Sequence, residues 1–427
     1  MSSGRPWSWR VEGRSRFPPC PGRSRIVGVS GPLTGVRVVD CTTVVLGPWA
    51  AQQLGDLGAD VVKIEPPEGD TTRQLGPMRN PDMGAFYLAV NRNKRSIVLD
   101  LKQEGARRVL QRLAEGADVL LHNYRPQAAR RLGMAYETFR AVNPGIVYVG
   151  TYGFRAAGPY GDKPAYDDII QAASGIASLQ ASLFGEPKYV PTIVADKTSS
   201  MTVLVAVLAA LYHKARTGEG QEVEVPMLES MAAWVMVEHL YGETFVPPLE
   251  TAGYKRVLNR YRRPFKTKDG YLAILPYTDQ NWRDFFAIAD RPDLLEDPRF
   301  KTLSTRLRHI EILYEELGKI ATTRTSAEWL AELDRRNIPA MIVNSLESLL
   351  RDPHLEATGF WQVVEHPTEG TLRLPGIPAA YSKTPAAIRR LPPRLGEHSV
   401  EILREAGLSP AEIDTLLASG ATRTARD

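Results

Sequence analysis

Two short segments hold the residues best suited to chemistry. Tyr166-Asp167-Asp168-Ile169-Ile170-Gln171 sets a phenol beside two carboxyls, and Val194-Ala195-Asp196-Lys197-Thr198-Ser199-Ser200 sets one carboxyl before a long apolar run, Met201 to Leu211. A carboxylate in such a place can cap a helix, move a proton or attack an electrophilic carbonyl. Taken alone, an Asp before a helix is first of all a cap. A phenol, with an ordinary pKa of about 10, is a poor base at neutral pH. Asp168 reads as a solvated neighbour, and Ile169, Ile170, Ala173 and Ile176 suit the packed face of a helix beginning near Gln171. Ala195, Ser199 and Ser200 are small and are expected to leave room beside Asp196.

The elements that must position these residues alternate. Apolar stretches Gly35–Asp40, Ala59–Glu65, Arg95–Leu99, Ala117–Leu121, Gly145–Gly150 and Glu222–Val225 read as strands. Helices are expected over Gly47–Leu57, Glu104–Glu115, Gln127–Leu132, Tyr136–Val142, Asp196–Arg216 and Leu228–Tyr241. Strands buried on both faces and spaced by helices make a parallel sheet, so the fold class is a doubly wound α/β domain. It is expected over 30–230. A smaller α+β domain is expected over 245–340, with a strand at Gly270–Leu275 and helices near Gln280–Ala289, Thr305–Thr322 and Ser326–Arg336. Near Ile338–Val343 the chain is expected to rejoin the larger domain, which takes 341–427. The stretch 1–29, rich in Arg, Ser, Pro and Gly without an apolar core, reads as a disordered extension.

Composition narrows the function. With 53 Lys and Arg against 49 Asp and Glu, the charge of +4 is small for 427 residues and owes much to arginines before Ile26. No basic face points to nucleic acid. Cys20 and Cys41 are too few for a disulfide framework or a Cys-based metal site, and the seven histidines form no ligand motif. The apolar run Met201–Tyr212 is shorter than a membrane span and reads as a core helix. Neither G-x-G-x-x-G after the first strand, nor a P-loop, nor G-x-S-x-G occurs, so nicotinamide, flavin and phosphate-loop cofactors and a serine nucleophile are not expected. A cytoplasmic protein without metal is expected.

Several collinear motifs then resemble one family. Leu33-Thr34-Gly35-Val36-Arg37-Val38-Val39-Asp40, Leu57-Gly58-Ala59-Asp60-Val61-Val62-Lys63-Ile64-Glu65, Asn91-Arg92-Asn93-Lys94-Arg95-Ser96, Asn123-Tyr124-Arg125-Pro126, Arg216-Thr217-Gly218-Glu219-Gly220-Gln221, Asp352-Pro353-His354 and Leu395-Gly396-Glu397-His398 are similar to the class III (CaiB/BaiF) CoA-transferases, as are the Tyr166 and Asp196 segments. The resemblance runs from about Leu33 to Leu417. It implies a Rossmann-like large domain built from both chain ends, a small domain, and a homodimer of interlocked rings. It also implies transfer of coenzyme A between an acyl-CoA and a small carboxylic acid, coenzyme A being substrate and acyl carrier.

In that family an aspartate attacks the thioester to give an anhydride and then an aspartyl-CoA thioester; the matching position is Asp196. Related α-methylacyl-CoA racemases carry His where this chain has Tyr166, so Tyr166 favours transfer over isomerisation. The alternatives are an acyl-CoA racemase or isomerase and a catalytically silent CoA-binding subunit. The resemblance further implies CoA contacts from Val45, Leu46, Leu99, Lys102, Asn123, Tyr124, Arg131, Tyr166 and Asp167. A family lysine before the tyrosine is replaced by Pro164, with Lys163 one place off, and the family's glycine-rich active-site loop has no counterpart near Val257–Arg263. Formyl or oxalyl transfer is therefore not the expected reaction. The basic, aromatic stretch Tyr254–Phe265 suits either a carboxylate site or an ordinary surface.

Overall fold

A computed structural model describes residues 31–425; the extension expected at 1–29 lies outside them. The fold is mixed α/β, built on a large parallel sheet. Strands β1 (Arg37–Cys41), β2 (Asp60–Glu65) and β3 (Lys94–Val98) pair in parallel, with Val38 opposite Val61 and Val61 opposite Lys94. Strands β4 (Val119–His122), β5 (Val147–Tyr152) and β6 (Gln221–Pro226) do the same, with Val119 opposite Val147 and Val147 opposite Gln221. The near-continuous apolar runs of β4 and β5 follow from burial on both faces, whereas β6 alternates Glu222 and Glu224 with Val223 and Val225. Between β3 and β4, the helix Glu104–Glu115 buries Ala106, Val109, Leu110 and Ala114 along one stripe.

The described residues form two compact units. One comprises 31–40, 51–118 and 353–425; the other comprises 41–50 and 119–352. In the first, the interior end of the strands is polar and internally paired. Lys63 Nζ meets Asp70 at 3.0 Å, Lys94 Nζ meets Asp40 at 2.9 Å, and Arg73 grips Glu65 with Nε and Nη2 at 2.8 and 2.7 Å. All six side chains are shut off from solvent. Ser96 Oγ donates to Glu65, and the Arg73 guanidinium lies 3.7 Å from the centre of the Tyr87 ring. Burial pulls the Lys94 ammonium down to about 8. Arg73 also donates to the Pro393 carbonyl, so the same cluster fastens the returning C-terminal chain. That chain covers β3: the His398 amide donates to Ser96 O, and Thr422 Oγ1 to Val98 O. It reaches there after an antiparallel hairpin, β10 (Trp361–His366) and β11 (Gly370–Pro375).

The second unit holds the longest helix, Val194–Thr217, which packs on β5 and β6. Its inner stripe is Ala195, Ser199, Ser200, Val203, Leu204, Val207 and Ala210, and Gly218 ends it at φ 80°, where its amide closes on Lys214 O. The 24 residues are long and apolar enough to cross a membrane by length and composition, more than the run Met201–Tyr212 suggested. Here its inner stripe is buried, while Met201, Val205 and Tyr212 on its outer face are exposed.

The same unit carries a three-stranded antiparallel sheet of β7 (Phe265–Lys266), β8 (Tyr271–Ile274) and β9 (Ala340–Ile342). Helices Asp279–Ile288, Ile310–Ala321 and Ser326–Arg335 cover it around Trp282, Phe285, Leu313, Leu317 and Trp329. The segment Ile338–Val343, read from sequence as the start of the return, supplies β9, with Leu272 opposite Ile342. The unit containing the C-terminal residues resumes at Pro353. The reason is local, because β9 completes the small sheet before the chain leaves it.

The buried ion cluster makes a testable stability claim. Arg73→Met leaves Glu65 buried without its cation and should cost about 3–5 kcal/mol. The double variant Glu65→Met/Arg73→Met should recover most of that loss. Thermal unfolding of the wild type, the two single variants and the double variant checks this; simply additive losses would contradict it.

Candidate active site

Loops that follow the carboxyl ends of β1, β4 and β5 carry most of the residues of interest, the place where open α/β sheets bind ligands. After β1 the chain turns through Val44 at φ 71°, an unusual conformation for a β-branched residue. Asn123, just past β4, holds that turn: its Oδ1 accepts the Thr43 amide at 3.1 Å and its Nδ2 donates to Thr43 O at 2.9 Å. The Asn123 amide is therefore engaged in fixing the loop that presents Val45 and Leu46, both buried. Tyr124 is half-buried, its ring 6.3 Å from that of His122 with planes 21° apart. Burial pushes the Tyr124 phenol up and pulls His122 down to about 4, so both are neutral at pH 7. Arg131 is exposed at the end of the helix Pro126–Arg131.

After β5, Gly153 lets the chain fold back closely; a Cβ there would lie 2.3 Å from that of Ala165. This approach delivers Tyr166 and the short helix Asp167–Ala173. Tyr166 is 70% exposed, while Asp167 is buried. Asp167 Oδ1 accepts the amides of Ala195 and Asp196 at 2.8 and 3.0 Å. Its Oδ2 accepts from Gln171 Nε2 at 2.6 Å. Gln171 Oε1 in turn accepts the Val190 amide at 2.8 Å, and its Nε2 lies 3.2 Å from Thr192 O. A helix of ordinary length has amides at its first turn with no partner inside the helix. Asp167 supplies one, from 29 residues away.

This arrangement settles what Asp196 is not. The long helix begins at Val194, so Asp196 sits within its first turn, and Ile193 occupies the cap position with no side-chain bond. The capping carboxylate is Asp167. Asp196 is half-buried, and burial, then the charge of Asp167, push its carboxyl up to about 7. The positive end of the helix is answered by Asp167 rather than by Asp196. Ala195, Ser199 and Ser200, the small residues near Asp196, are fully buried on the inner stripe. The Ser199 and Ser200 hydroxyls find no partner among the described residues.

Of the ten residues singled out from sequence, eight share one unit: Val45, Leu46, Asn123, Tyr124, Arg131, Tyr166, Asp167 and Asp196. Leu99, buried just past β3, and Lys102, exposed before the helix Glu104–Glu115, belong to the other. Sequence reasoning missed the part of Gln171, whose only signal is its place one helical turn after Asp167. In the stretch Tyr254–Phe265, Lys255 pairs with Glu250, Arg260 with Glu311, and Arg256 donates to Tyr314 Oη.

The raised carboxyl has a stability consequence. Native Asp196 holds its proton up to about 7, against 3.8 for an ordinary Asp, so its contribution is intact below the lower value and is lost as pH rises through the upper one. Asp196→Asn, neutral at every pH, should therefore stabilise more at pH 8 than at pH 5, by on the order of 2 kcal/mol. Scanning calorimetry at the two pH values checks this, and an equal gain at both would refute it.

Comparison with known proteins supplies the kinship. Residues 33–399 match the family described as CoA-transferase family III. A succinate–glutarate CoA-transferase of Agrobacterium fabrum is 34% identical over 388 residues, covering 88% of this chain and 95% of its own. A formyl-CoA:oxalate CoA-transferase of Escherichia coli O157:H7 is 31% identical over 414 residues, covering 90% and 98%. A CAIB/BAIF family protein from Brucella suis superposes with a TM-score of 0.75 at 29% identity, over 88% of this chain and all of that one, 100%. This chain belongs to CoA-transferase family III, and is a CoA-transferase.

Proposed function

We propose that the protein moves coenzyme A from an acyl-CoA to a free carboxylic acid by way of Asp196. The observation that carries this reading is a half-buried carboxylate in the first turn of the long helix, with no hydrogen bond to its side chain among the described residues, while its neighbour Asp167 does the capping. A desolvated, unbonded carboxylate near its point of ionisation is a better nucleophile than one held by donors.

The sequence of steps balances. An Asp196 oxygen attacks the thioester carbonyl carbon, the C–S bond breaks, and coenzyme A leaves as thiolate, giving a mixed anhydride. The thiolate attacks the aspartyl carbonyl, forming an aspartyl-CoA thioester and releasing the donor acid. The acceptor carboxylate attacks that thioester, giving a second anhydride and free thiolate. The thiolate then takes the new acyl group and restores the Asp196 carboxylate. No proton or redox partner is required.

Around this chemistry we place coenzyme A against Val45, Leu46, Asn123, Tyr124, Arg131 and Tyr166; Arg131 suits a phosphate and Tyr124 suits adenine. Of these, the exposed side chains of Tyr166 and Arg131 are open to a ligand as they stand. We further propose a doubly wound large domain drawn from both chain ends, a cytoplasmic location and an interlocked homodimer. The acids named for the relatives, succinate, glutarate and oxalate, define the first acceptors to assay.

Incubation with succinyl-CoA, glutaryl-CoA or formyl-CoA followed by hydroxylamine should leave a hydroxamate on Asp196, read by peptide mass spectrometry. Asp196→Ala should lose both the adduct and transfer, the latter on the order of 10³-fold or more. Undiminished transfer by Asp196→Ala would overturn the reading. Solvent deuterium entering the α-carbon of an acyl-CoA without CoA exchange would do so in favour of isomerisation.

A further inference from the structure

The carboxylate of Asp167 is buried, and no lysine or arginine pairs with it among the described residues. A lone buried carboxylate is costly unless hydrogen bonds satisfy it. Here three donors do so: the Ala195 and Asp196 amides on one oxygen and Gln171 Nε2 on the other. The compensation is dipolar, drawn largely from the N-terminus of the helix that carries Asp196. Gln171 extends the hold to Val190 and Thr192, the stretch by which the chain enters that helix.

We propose that Asp167 is a positioning residue: its grip on the Ala195 and Asp196 amides fixes where the Asp196 carboxylate stands, and its negative charge beside Asp196 makes that carboxylate the stronger nucleophile. The inference rests on Asp196 being the nucleophile. Nucleophilic strength rises with basicity, so a second, unneutralised carboxylate next door strengthens the attack on a thioester carbon. It also accounts for an arrangement that costs stability, since two acids share one helix end without a cation.

The other charged groups on the elements packed against this helix are committed elsewhere. Glu224 accepts the Tyr152 hydroxyl and the Ala156 amide, and Glu222, its neighbour on β6, is influenced mainly by its own burial and by Glu137 and Glu224. On the helix Met227–His239, Glu229 lies 3.8 Å from Arg155 and Glu238 is 3.5 Å from His239. Asp168 is exposed on the short helix, and Lys197 donates to Thr192 Oγ1 at 2.7 Å. Burial and Asp167 are what act on Asp196.

The test is a side-chain ¹³C-carboxyl NMR titration of the full-length protein without substrate, with the Asp196 signal assigned from Asp196→Asn. Asp167→Asn keeps an oxygen for both amides but removes the charge, so the Asp196 midpoint should fall by about one pH unit. Gln171→Met removes a donor from Asp167 and leaves its charge less compensated, so the midpoint should rise. In assays, the acid limb of kcat/KM should move with the titration in each variant, and Asp167→Asn should be slower than wild type at pH 8 with little change in KM. If Asp167→Asn does not fold, the upward shift in Gln171→Met carries the test. An Asp196 midpoint unmoved by either substitution overturns the proposal. Because the titration needs no substrate, loss of the transferase reading would leave its outcome legible: shifted midpoints with no Asp196-dependent transfer would refute the chemistry and keep the electrostatics.

Discussion

The open amides at the start of a 24-residue helix must find acceptors, and in this protein they find the carboxylate of a residue from another helix. That one interaction sets several others. It buries Asp167, which obliges Gln171 to turn inward as its second donor, which in turn fixes the backbone at Val190 and Thr192. It also frees Asp196 from capping. Had Asp196 bonded to its own helix terminus, donors would have held its charge and dulled it; with the terminus already occupied, the carboxyl stands near neutrality.

The other unit solves a related problem by opposite means. There, Lys63, Asp70, Glu65, Arg73, Lys94 and Asp40 are fully enclosed, and every acid has a cation at hydrogen-bond distance. Such a cluster gives little net stability over an apolar core, but it is strict about geometry, since a displaced partner leaves a buried charge. Arg73 illustrates this by holding Glu65, Tyr87 and the carbonyl of Pro393 together. The contrast is physical: matched pairs hold their charges in a rigid frame, whereas an unmatched pair of acids pushes one carboxyl up.

Much of this was legible in the chain. The apolar runs at Val38, Val61, Leu120 and Val147 announced parallel strands, because a strand buried on both faces has no polar face to show. Asp196 stood out through its motif and the long helix behind it. What periodicity does not encode is a partner 29 residues away, so the division of labour between Asp167 and Asp196 was hidden, as was the inward turn of Gln171. The sheet that the stretch Ile338–Val343 joins was hidden for a similar reason: a short apolar strand fits any sheet, and its pairing with β8 is a tertiary fact. The small side chains Ala195, Ser199 and Ser200 lie on the buried stripe of the helix, as their helical spacing implies.

The covering of β3 by the chain near His398 and Thr422 bears on how the protein is made. The contact between Ser96 and His398 closes a loop of 302 residues, so during synthesis β3 waits uncovered while most of the polypeptide is still being added. An open strand edge is a template for pairing with other chains. The nascent protein therefore passes through a long interval in which its first unit is incomplete and self-associating contacts compete with the proper one. Folding yield at high expression should be governed by that interval, and by whatever shields the edge during it, more than by the final stability of the sheet.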